Sequence, residues 1–362
     1  MRIGIHATYA ALKNKTGVGY YTYHLIHHLA LLDRENEYFL FYNKKTIGPQ
    51  SFLRIKNKNF HQLLFYPRLF FFNPWKLDIF HEPAFRFLKP VKARSVVTIH
   101  DITSVFPDSF MSEKFRKKAN RKLHKSIYNS DRIIAVSHNT KKDIINHFPV
   151  PPDKINVVYH GIGEEYRIES GKKARAYLHK RYGLKGDFLL FVGSIETRKN
   201  IANMIMAYLN AKINKKIKLV LVGGKGYGWE FLSQLIGNVK EDVIHFPYIP
   251  GNELVWFYNS AEALVFPSFY EGFGLPVLEA MACGIPVITS NNSSLAEIGK
   301  GHVLYVNPFQ IDSIARGMET IVKDKKYVSR LTSGARQYSN HFSWLKCAER
   351  TRKVYFDLYQ SK

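Results

Sequence analysis

Short apolar runs alternate with longer amphipathic stretches along this chain of 362 residues, and that alternation constrains the fold more than any other feature. The first series of runs lies at residues 2–5, 38–42, 79–81, 95–99, 132–136 and 155–159. The second series lies at residues 188–192, 218–222, 243–246, 263–266, 286–289 and 303–306. Near-continuous apolar strands separated by helices are typical of parallel sheets covered on both faces. We therefore predict an α/β chain with two Rossmann-like domains, each built on one series of strands.

The domain boundary is predicted where the strand pattern stops, between residues 160 and 185, in a stretch rich in Gly, Glu, Lys and Arg. A chain of this length also exceeds the ~250–300 residues at which a single core stops growing. We predict an N-terminal domain over residues 1–165 and a second domain over residues 166–340. The pattern after residue 306 is purely helical, at 311–322, 327–341 and 344–359. Residues 341–362 are expected to form a C-terminal helix that returns to the N-terminal domain.

The chain is strongly basic: 53 lysine and arginine residues against 29 aspartate and glutamate residues give a formal net charge of +24. Such a balance indicates an anionic partner, which could be a nucleic acid, a membrane surface or a phosphate-bearing substrate. Two cysteines, Cys283 and Cys347, cannot supply a disulfide framework or a four-cysteine zinc site. No apolar run approaches the ~18 residues of a membrane-spanning helix, and the N-terminus lacks a signal-peptide pattern. We therefore expect a cytoplasmic protein.

A glycine-rich turn follows the run at 263–266 and leads into a predicted helix. Gly274 permits a tight turn, and Pro276 suits the first position of a helix, where its missing N–H costs nothing. The N–H groups of Phe273, Gly274 and Leu275 would then point outward at a helix N-terminus, which is a favourable site for a phosphate. A tight structural turn without a ligand is the alternative.

Two glutamates flank this turn, and a second turn carries two adjacent cations. Glu271 precedes the predicted helix, and Glu279 lies one turn inside it, within reach of ligand hydroxyls. The turn after the run at 188–192 contains Arg198 and Lys199, which could neutralise a diphosphate without a metal. A solvated basic turn beside incidental glutamates is the alternative. Because loops after parallel strands gather at one sheet edge, we expect these side chains to lie together.

These motifs carry a family resemblance. Glu271 and Glu279 have the E-x7-E spacing, and together with residues 196–200 they closely resemble the retaining GT-B glycosyltransferases of the "group 1" family. That family includes bacterial mannosyltransferases of lipopolysaccharide and capsule assembly. The similarity continues through residues 281–290, 305–308 and 342–344, and the first half matches more weakly. It implies a GT-B fold, in which two Rossmann-like domains with parallel sheets face each other across a cleft, followed by C-terminal helices.

The resemblance implies roles for residues of the second half. Arg198 and Lys199 would hold the diphosphate of a nucleotide-sugar donor. Glu279 would bind the ribose hydroxyls, and Glu271 would contact the transferred sugar. The expected nucleotide-sugar site is completed by backbone groups of Gly193, Phe273, Gly274 and Leu275.

Residues of the first half are implied as well. The small loop containing Gly17 and Gly19 would close over the phosphates, and His100 would lie near the sugar. Three positions depart from the family pattern: Tyr20 stands where a basic residue is usual, His160 replaces an asparagine, and Ala296 replaces a proline. The first departure weakens the expected role of the loop in phosphate binding.

The expected reaction is transfer of a sugar from a nucleotide-diphosphate sugar to a saccharide or lipid-linked acceptor in cell-envelope polysaccharide biosynthesis. The Glu-Thr-Arg-Lys-Asn form of the second turn resembles mannosyltransferases and favours GDP-mannose, while a UDP-sugar remains open. The resemblance implies retention of configuration, with the departing phosphate helping to deprotonate the acceptor hydroxyl. No set of metal ligands is evident, so we expect no metal and no cofactor, with leaving-group charge stabilised by Arg198, Lys199 and helix ends.

A basic amphipathic segment begins at Ser112 and ends at Ile127, with seven lysine or arginine residues and one glutamate. Such a segment is typical of a membrane surface, so we expect peripheral binding to the anionic inner face of the cytoplasmic membrane. Phe115, Ala119, Leu123 and Ile127 recur every four residues and form a narrow apolar stripe on this segment. Alternatively, this apolar stripe packs on its own domain. The aromatic segment 60–75 could likewise be core or an apolar surface on the acceptor side.

Two further functions fit the residues less well. A basic nucleic-acid-binding protein would match the charge, but the chain has no helix-turn-helix, zinc-finger or RNA-recognition pattern, so no nucleic-acid partner is expected. A glycosidase would use two carboxylates, but it would leave Arg198, Lys199 and the glycine-rich turn without a role.

Overall fold

The computed structural model describes residues 1–43, 45–66, 68–69, 72–84, 90, 92–106, 110–214 and 216–361. The chain forms two compact units. The first unit comprises Met1–Pro107, Ser112–Gly161 and Phe342–Lys362, and the second comprises Asp108–Met111 and Ile162–His341. Where the sequence predicts boundaries at 165–166 and 340–341, the units therefore divide at 161–162 and 341–342.

The first unit is built on a seven-stranded sheet in the order β3-β2-β1-β4-β5-β6-β7, and every neighbouring pair is parallel. Its strands are β1 (Arg2–His6), β2 (Glu37–Asn43), β3 (Phe60–Phe65), β4 (Ile79–Glu82), β5 (Arg94–Ile99), β6 (Arg132–Ala135) and β7 (Ile155–Val157). The helices in this part of the chain are α1 (Gly17–Leu32), α2 (Glu113–Asn129) and α3 (His138–His147). Ser137 caps α3 by accepting a hydrogen bond from the N–H of Thr140.

The second unit contains a six-stranded parallel sheet in the order β10-β9-β8-β11-β12-β13. Its strands are β8 (Phe188–Val192), β9 (Lys218–Val222), β10 (Val243–Phe246), β11 (Ala263–Phe266), β12 (Val287–Ser290) and β13 (Leu304–Val306). Its helices are α4 (Gly171–Tyr182), α5 (Ile201–Asn210), α6 (Trp229–Asn238), α7 (Gly251–Tyr258), α8 (Leu275–Ala282), α9 (Ser293–Gly299), α10 (Ile311–Lys323), α11 (Lys325–Thr332) and α12 (Ala335–Ser339). The strand order reverses between β8 and β11, and ligands of such sheets bind at the carboxyl ends beside this switch point.

The two predicted parallel-sheet domains are confirmed, and two element predictions are wrong. Strand β3 is not predicted, because its polar residues His61 and Gln62 interrupt the apolar pattern on an edge strand that is buried mainly at its ends. The single helix expected over residues 327–341 is two helices, α11 and α12. Gly334 separates them with a φ of 79°, a left-handed conformation that ends a helix.

Helix α2 packs its apolar stripe on the first unit. Leu123 and Ile127 are buried in a cluster that includes Ile99 and Ile133, whereas Phe115, which the pattern assigns to the stripe, is 60% exposed. The apolar stripe therefore packs on its own unit through Leu123 and Ile127. The basic side chains point away from that cluster, and most of them are exposed.

The aromatic segment 60–75 divides between core and surface. Phe65 is buried and Trp75 packs against the same hydrophobic cluster, whereas Phe72 is 80% exposed. Phe70 and Phe71, which belong to this segment in sequence, lie outside the described residues.

The last helix, α13 (Trp344–Gln360), belongs to the first unit and packs along α1. Its Tyr355 hydroxyl lies 2.6 Å from Nδ1 of His81 on β4, and its Trp344 ring stacks on His24 of α1. Within the described ranges, no helix of either unit combines the length and the hydropathy needed for a membrane crossing.

Candidate active site

Three loops at the carboxyl edge of the second sheet are tied together by one asparagine. Asn200 follows the short helical turn Thr197–Lys199 after β8 and adopts a left-handed conformation with a φ of 62°. Its side-chain amide donates hydrogen bonds to the carbonyl oxygens of Pro267, after β11, and Pro308, after β13, at 3.0 and 2.7 Å. Asn200 is buried, so these bonds hold the three loops in a common arrangement.

The two predicted cations meet the first predicted glutamate at this edge. Lys199 Nζ lies 2.5 Å from Glu271 Oε1, and Arg198 Nη1 lies 3.0 Å from Glu271 Oε2. The guanidinium of Arg198 also contacts Glu196 Oε1 at 2.7 Å and donates to the carbonyl oxygen of Tyr270 at 2.7 Å. The structure thus brings together side chains from the turns after β8 and β11.

These charges are mostly withdrawn from solvent. The side chains of Glu271 and Lys199 are only 9% and 12% exposed. Burial opposes ionisation of Glu271, but the charges of Arg198 and Lys199 outweigh it and lower the pKa of that carboxyl to about 2. Burial lowers the pKa of Lys199, while Glu271 acts in the opposite direction. With Glu196 included, the four formal charges cancel, so a solvated basic turn is the wrong description.

The backbone of Glu271 is fixed from α9. Its N–H donates to Ser293 Oγ at 3.2 Å, and the hydroxyl of Ser294 lies 2.8 Å from the Glu271 carbonyl oxygen. The same hydroxyl is 2.9 Å from the carbonyl oxygen of Phe273. Two adjacent serines at the start of α9 therefore define the path of the glycine-rich turn.

Gly274 ends the glycine-rich turn in a conformation that other residues rarely adopt. Its φ is 106°, and a Cβ at this position would lie 2.7 Å from Leu295 Cδ2. Helix α8 starts at Leu275, so Pro276 occupies the second helical position rather than the predicted first. Phe273 is buried beside this turn. The predicted helix N-terminus is thus present next to the Glu271 cluster.

The second predicted glutamate lies on α8, away from the two cations. Glu279 Oε2 accepts a hydrogen bond of 2.7 Å from the Tyr258 hydroxyl at the end of α7. Burial, together with the charge of Glu165, raises the pKa of Glu279 to about 7, although the hydrogen bond from Tyr258 acts in the opposite direction. Glu271 and Glu279 therefore lie in opposite electrostatic environments.

Gly193 directly follows β8 on the same sheet edge. Its N–H donates to the Val222 carbonyl oxygen at 2.9 Å. A Cβ at Gly223, the residue that follows β9, would lie 1.8 Å from the Gly193 carbonyl oxygen. The backbones leaving these two strands therefore approach each other more closely than a side chain at position 223 would permit.

The remaining predicted residues belong to the first unit. Gly17 and Gly19 lie in the first turn of α1 rather than in the expected loop. His100 directly follows β5, and its Nε2 lies 2.8 Å from the carbonyl oxygen of Pro83. Because a carbonyl only accepts, Nε2 carries the hydrogen, and Nδ1 is the acceptor of the neutral ring. Burial lowers the pKa of His100, so the ring is neutral near pH 7.

In the part of the chain that the structure describes, no three His, Cys, Asp or Glu side chains are grouped so that they could hold a metal ion. The cationic groups beside Glu271 are those of Arg198 and Lys199. Both Cys283 and Cys347 are free and buried.

Sequence comparison identifies the family. The profile described as "Glycosyl transferases group 1" matches residues 178–338, and that of "Glycosyltransferase Family 4" matches residues 15–166. The chain is 29% identical to the O-antigen chain mannosyltransferase B of Escherichia coli, over 94% of this chain and 96% of that protein. The chain belongs to the group 1 glycosyltransferases. The matched ranges include every predicted site residue of this glycosyltransferase.

Solved structures agree with this family in fold. Sucrose-phosphate synthase from Thermosynechococcus elongatus superposes with a TM-score of 0.79 at 20% identity, covering 100% of both chains. HepE of Anabaena, solved in complex with UDP and glucose, superposes with a TM-score of 0.76 at 16% identity, covering 99% of this chain and 100% of that one. The glycosyltransferase therefore has the predicted GT-B fold.

The first unit of the glycosyltransferase contains a buried polar group that is not predicted from the sequence. His6 at the end of β1 lies 2.9 Å from Glu82 Oε2 at the end of β4, and its Nε2 lies 2.8 Å from Thr8 Oγ1. All three residues are buried. The only signal in the sequence is a polar residue at the end of each apolar run.

Proposed function

We propose that this glycosyltransferase transfers mannose from GDP-mannose to a saccharide or lipid-linked acceptor in the assembly of a cell-envelope polysaccharide or lipopolysaccharide. In support of this proposal, one relative, which matches 94% of the chain, is named an O-antigen chain mannosyltransferase. One observation carries the proposal: Arg198 and Lys199 both form ion pairs with Glu271 beside the N-terminus of α8. This arrangement supplies a cationic pair for a diphosphate and a carboxylate for sugar hydroxyls.

The donor diphosphate is proposed to bind next to Arg198 and Lys199. Each of these cations is paired with a carboxylate, so the phosphates would share them with Glu271 and Glu196. Charge-assisted hydrogen bonds from a guanidinium and an ammonium are strongest in such a partly dehydrated place. The N–H groups at Gly274 and Leu275 add the positive end of α8.

The proposed reaction replaces one bond at the anomeric carbon of the donor sugar. The bond from this carbon to the phosphate oxygen breaks, and a bond to the acceptor oxygen forms on the same face. The acceptor proton moves to the departing phosphate, and a nucleoside diphosphate leaves. Arg198 and Lys199 stabilise the charge that develops on the leaving oxygen, and no metal ion or cofactor is needed in this proposal.

Glu271 and His100 are proposed to contact the transferred sugar. The low pKa of Glu271 keeps its carboxylate ionised, so it can only accept hydrogen bonds from hydroxyl groups. The neutral ring of His100 has one acceptor nitrogen left by its bond to Pro83. Gly17 and Gly19, at the N-terminus of α1, are proposed to bind the phosphates through backbone N–H groups.

A UDP-sugar is the second candidate donor, because the structural neighbour HepE was solved with UDP and glucose. The two candidates differ in the base and share the diphosphate, so the cationic pair does not distinguish them.

The proposed place of action is the cytoplasmic face of the membrane, where the exposed basic face of α2 would bind anionic lipid. Its apolar stripe is already used in the core of the first unit, so this binding would be electrostatic.

Hydrolysis and binding across GDP-mannose, UDP-glucose, an ADP-sugar and a dTDP-sugar would test the proposal. We expect slow hydrolysis and the tightest binding with GDP-mannose, measured by product release and calorimetry. Preference for a UDP-sugar would select the second candidate, and binding of none of the four would contradict a nucleotide-sugar donor.

A further inference from the structure

Glu279 of the second unit is surrounded by hydroxyl groups rather than by cations. Tyr258, at the end of α7, donates to Glu279 Oε2 at 2.7 Å. Tyr258 is fully buried, and burial raises its pKa far above the usual value, so its hydroxyl stays protonated and remains a donor. A second hydrogen bond reaches Glu279 from Tyr166, whose ring packs edge-on against Tyr258 at 5.8 Å.

Such hydrogen bonds favour the carboxylate over the carboxylic acid. Glu279 needs this help, because burial raises its pKa to about 7 and the nearby charge of Glu165 acts in the same direction. The buried thiol of Cys283 also faces Glu279, and burial raises the pKa of that thiol, so that it stays neutral. Ionisation of Glu279 near neutral pH therefore depends on the tyrosine hydroxyls.

We propose that Tyr258 is a positioning residue for donor recognition, because its hydroxyl holds Glu279 as an oriented carboxylate that accepts the hydroxyl groups of a ribose. This inference rests on the proposed function, in which Glu279 binds the ribose of the nucleotide. A protonated Glu279 would carry an O–H donor on one oxygen. It would therefore accept fewer hydrogen bonds from the two neighbouring hydroxyl groups of a ribose. Tyr258 does not contact the ligand in this proposal and acts only through Glu279.

The proposal predicts that nucleotide binding depends on pH in a way that would not be expected if Tyr258 only stabilised the fold. Preference for ribose should increase with pH and level off above the pKa of Glu279. The ratio of affinities for GDP and for 2′,3′-dideoxy-GDP measures this preference and cancels the titration of the terminal phosphate and the base. For the wild-type enzyme we expect the midpoint of this ratio near pH 7.

Removing the Tyr258 hydroxyl should move that midpoint upward. In Tyr258→Phe, loss of a hydrogen bond to a carboxylate should raise the midpoint by about one pH unit. At pH 7 the ionised fraction of Glu279 would then fall from one half to about a tenth, and ribose preference would fall about fivefold. Much of the preference should return at pH 9, where Glu279 ionises again in the variant.

Two variants complete the design. Glu279→Gln cannot ionise, and it should bind GDP with a weak, pH-independent preference over the dideoxy analogue. Tyr177→Phe is the matched control, because Tyr177 also donates to a glutamate of the second unit, Glu253 Oε2 at 2.9 Å. Its ribose preference and pH midpoint should equal those of the wild type. Calorimetry from pH 5.5 to 9 and a melting curve for each variant would provide the data.

The outcomes separate the inference from the proposed function. An unchanged midpoint in Tyr258→Phe, with ribose preference intact in the wild type, would overturn the positioning role and leave the proposed function in place. A wild-type ribose preference that is already constant from pH 5.5 upward would overturn it as well. Equal affinity of the wild type for both nucleotides at every pH would show that Glu279 does not bind the ribose. The proposed role of Glu279 in the donor site and the positioning role of Tyr258 would then both be wrong. Repeating the series with UDP and its dideoxy analogue would cover the second candidate donor.

Discussion

Lys199 is the side chain on which the proposed chemistry depends most directly. Its ammonium contacts Glu271 and lies 4.9 Å from the centre of the Phe266 ring, at the edge where the donor phosphates are proposed to bind. We predict that Lys199→Ala lowers kcat/KM for the donor by a factor of one hundred or more. A preorganised donor to a developing negative charge contributes about 2.7–4 kcal/mol, and steady-state kinetics would measure its loss.

The control for that variant is Lys172→Ala, which removes an exposed lysine from α4 of the same unit. It should leave kcat/KM unchanged. Lys199→Ala should remain folded, because Arg198 still pairs with Glu271, and a melting curve would check this. A kcat/KM close to that of the wild type in a folded Lys199→Ala would contradict the assignment.

His6 and Glu82 form a buried hydrogen-bonded pair, and this pair concerns stability. We predict that His6→Ala lowers the free energy of unfolding by about 3–5 kcal/mol, because it leaves the carboxylate of Glu82 buried without its partner. Urea denaturation would measure the change. Glu82→Gln keeps the size and the hydrogen bond to His6, so it should cost much less. Equal losses in the two variants would show that packing, and not the unpaired charge, determines the effect.

Among the elements, α2 shows how one helix can serve both core and surface. Leu123 and Ile127 are buried with residues of β5 and β6, and most of its basic side chains are exposed. Each Lys or Arg near an anionic membrane contributes ~1 kcal/mol, screened over about 8 Å at physiological salt. We predict that changing Lys117, Lys118, Arg121 and Lys122 to Ser abolishes flotation with phosphatidylglycerol vesicles. Donor hydrolysis should persist, because Arg198 and Lys199 belong to the other unit.

A matched control removes the same number of charges from α4 and the loop after it. Lys172, Lys173, Lys180 and Lys185 are all exposed, and changing them to Ser should leave flotation intact. Wild-type binding should weaken steeply with salt, because no apolar stripe of α2 remains to insert. If the α2 variant floats normally at low and moderate salt, the basic face of α2 does not bind the membrane and is only a solvated helix surface.

The elements also show where sequence patterns are sufficient. Strands β8, β9 and β11 have the predicted bounds because each is a mainly apolar run that pairs with a strand on both sides. The edge strand β10 also has its predicted bounds, since only His245 interrupts its apolar run. Strand β3 lies at the edge of its sheet with its four middle residues partly exposed, and its mixed composition carries no strand signal. The error between α11 and α12 has a local origin, since the helical period continues across Gly334 although its φ is positive.

For the molecule as a whole, the predicted independence from metal depends on loops that only folding brings together. The cations of the turn after β8 reach the glutamate of the turn after β11, and Asn200 ties these turns to the loop after β13. We predict that transfer activity persists in excess EDTA, because Arg198 and Lys199 supply the positive charge. Activity assays with and without EDTA would test this. Complete loss that magnesium restores would contradict the proposed phosphate site.

The sequence by itself determined the two parallel-sheet units, the E-x7-E turn and the family, because apolar runs and glycine turns are local patterns that need no knowledge of neighbours. It also indicated that Arg198, Lys199 and Glu271 would lie together, since loops after parallel strands share an edge. Only the tertiary structure decided that the two cations are buried and paired with carboxylates. The contact between Lys199 and Glu271 joins residues that are 72 positions apart in the chain, and no local pattern predicts it.

The same reason explains the contrast between the two glutamates. Glu271 and Glu279 look equivalent in the motif, yet one faces two cations and the other faces Tyr258 and Glu165. These neighbours come from α7 and from the segment before α4, which the motif does not include. A pKa is set by every charge and hydrogen bond within a few ångströms, and those distances exist only once the chain has folded.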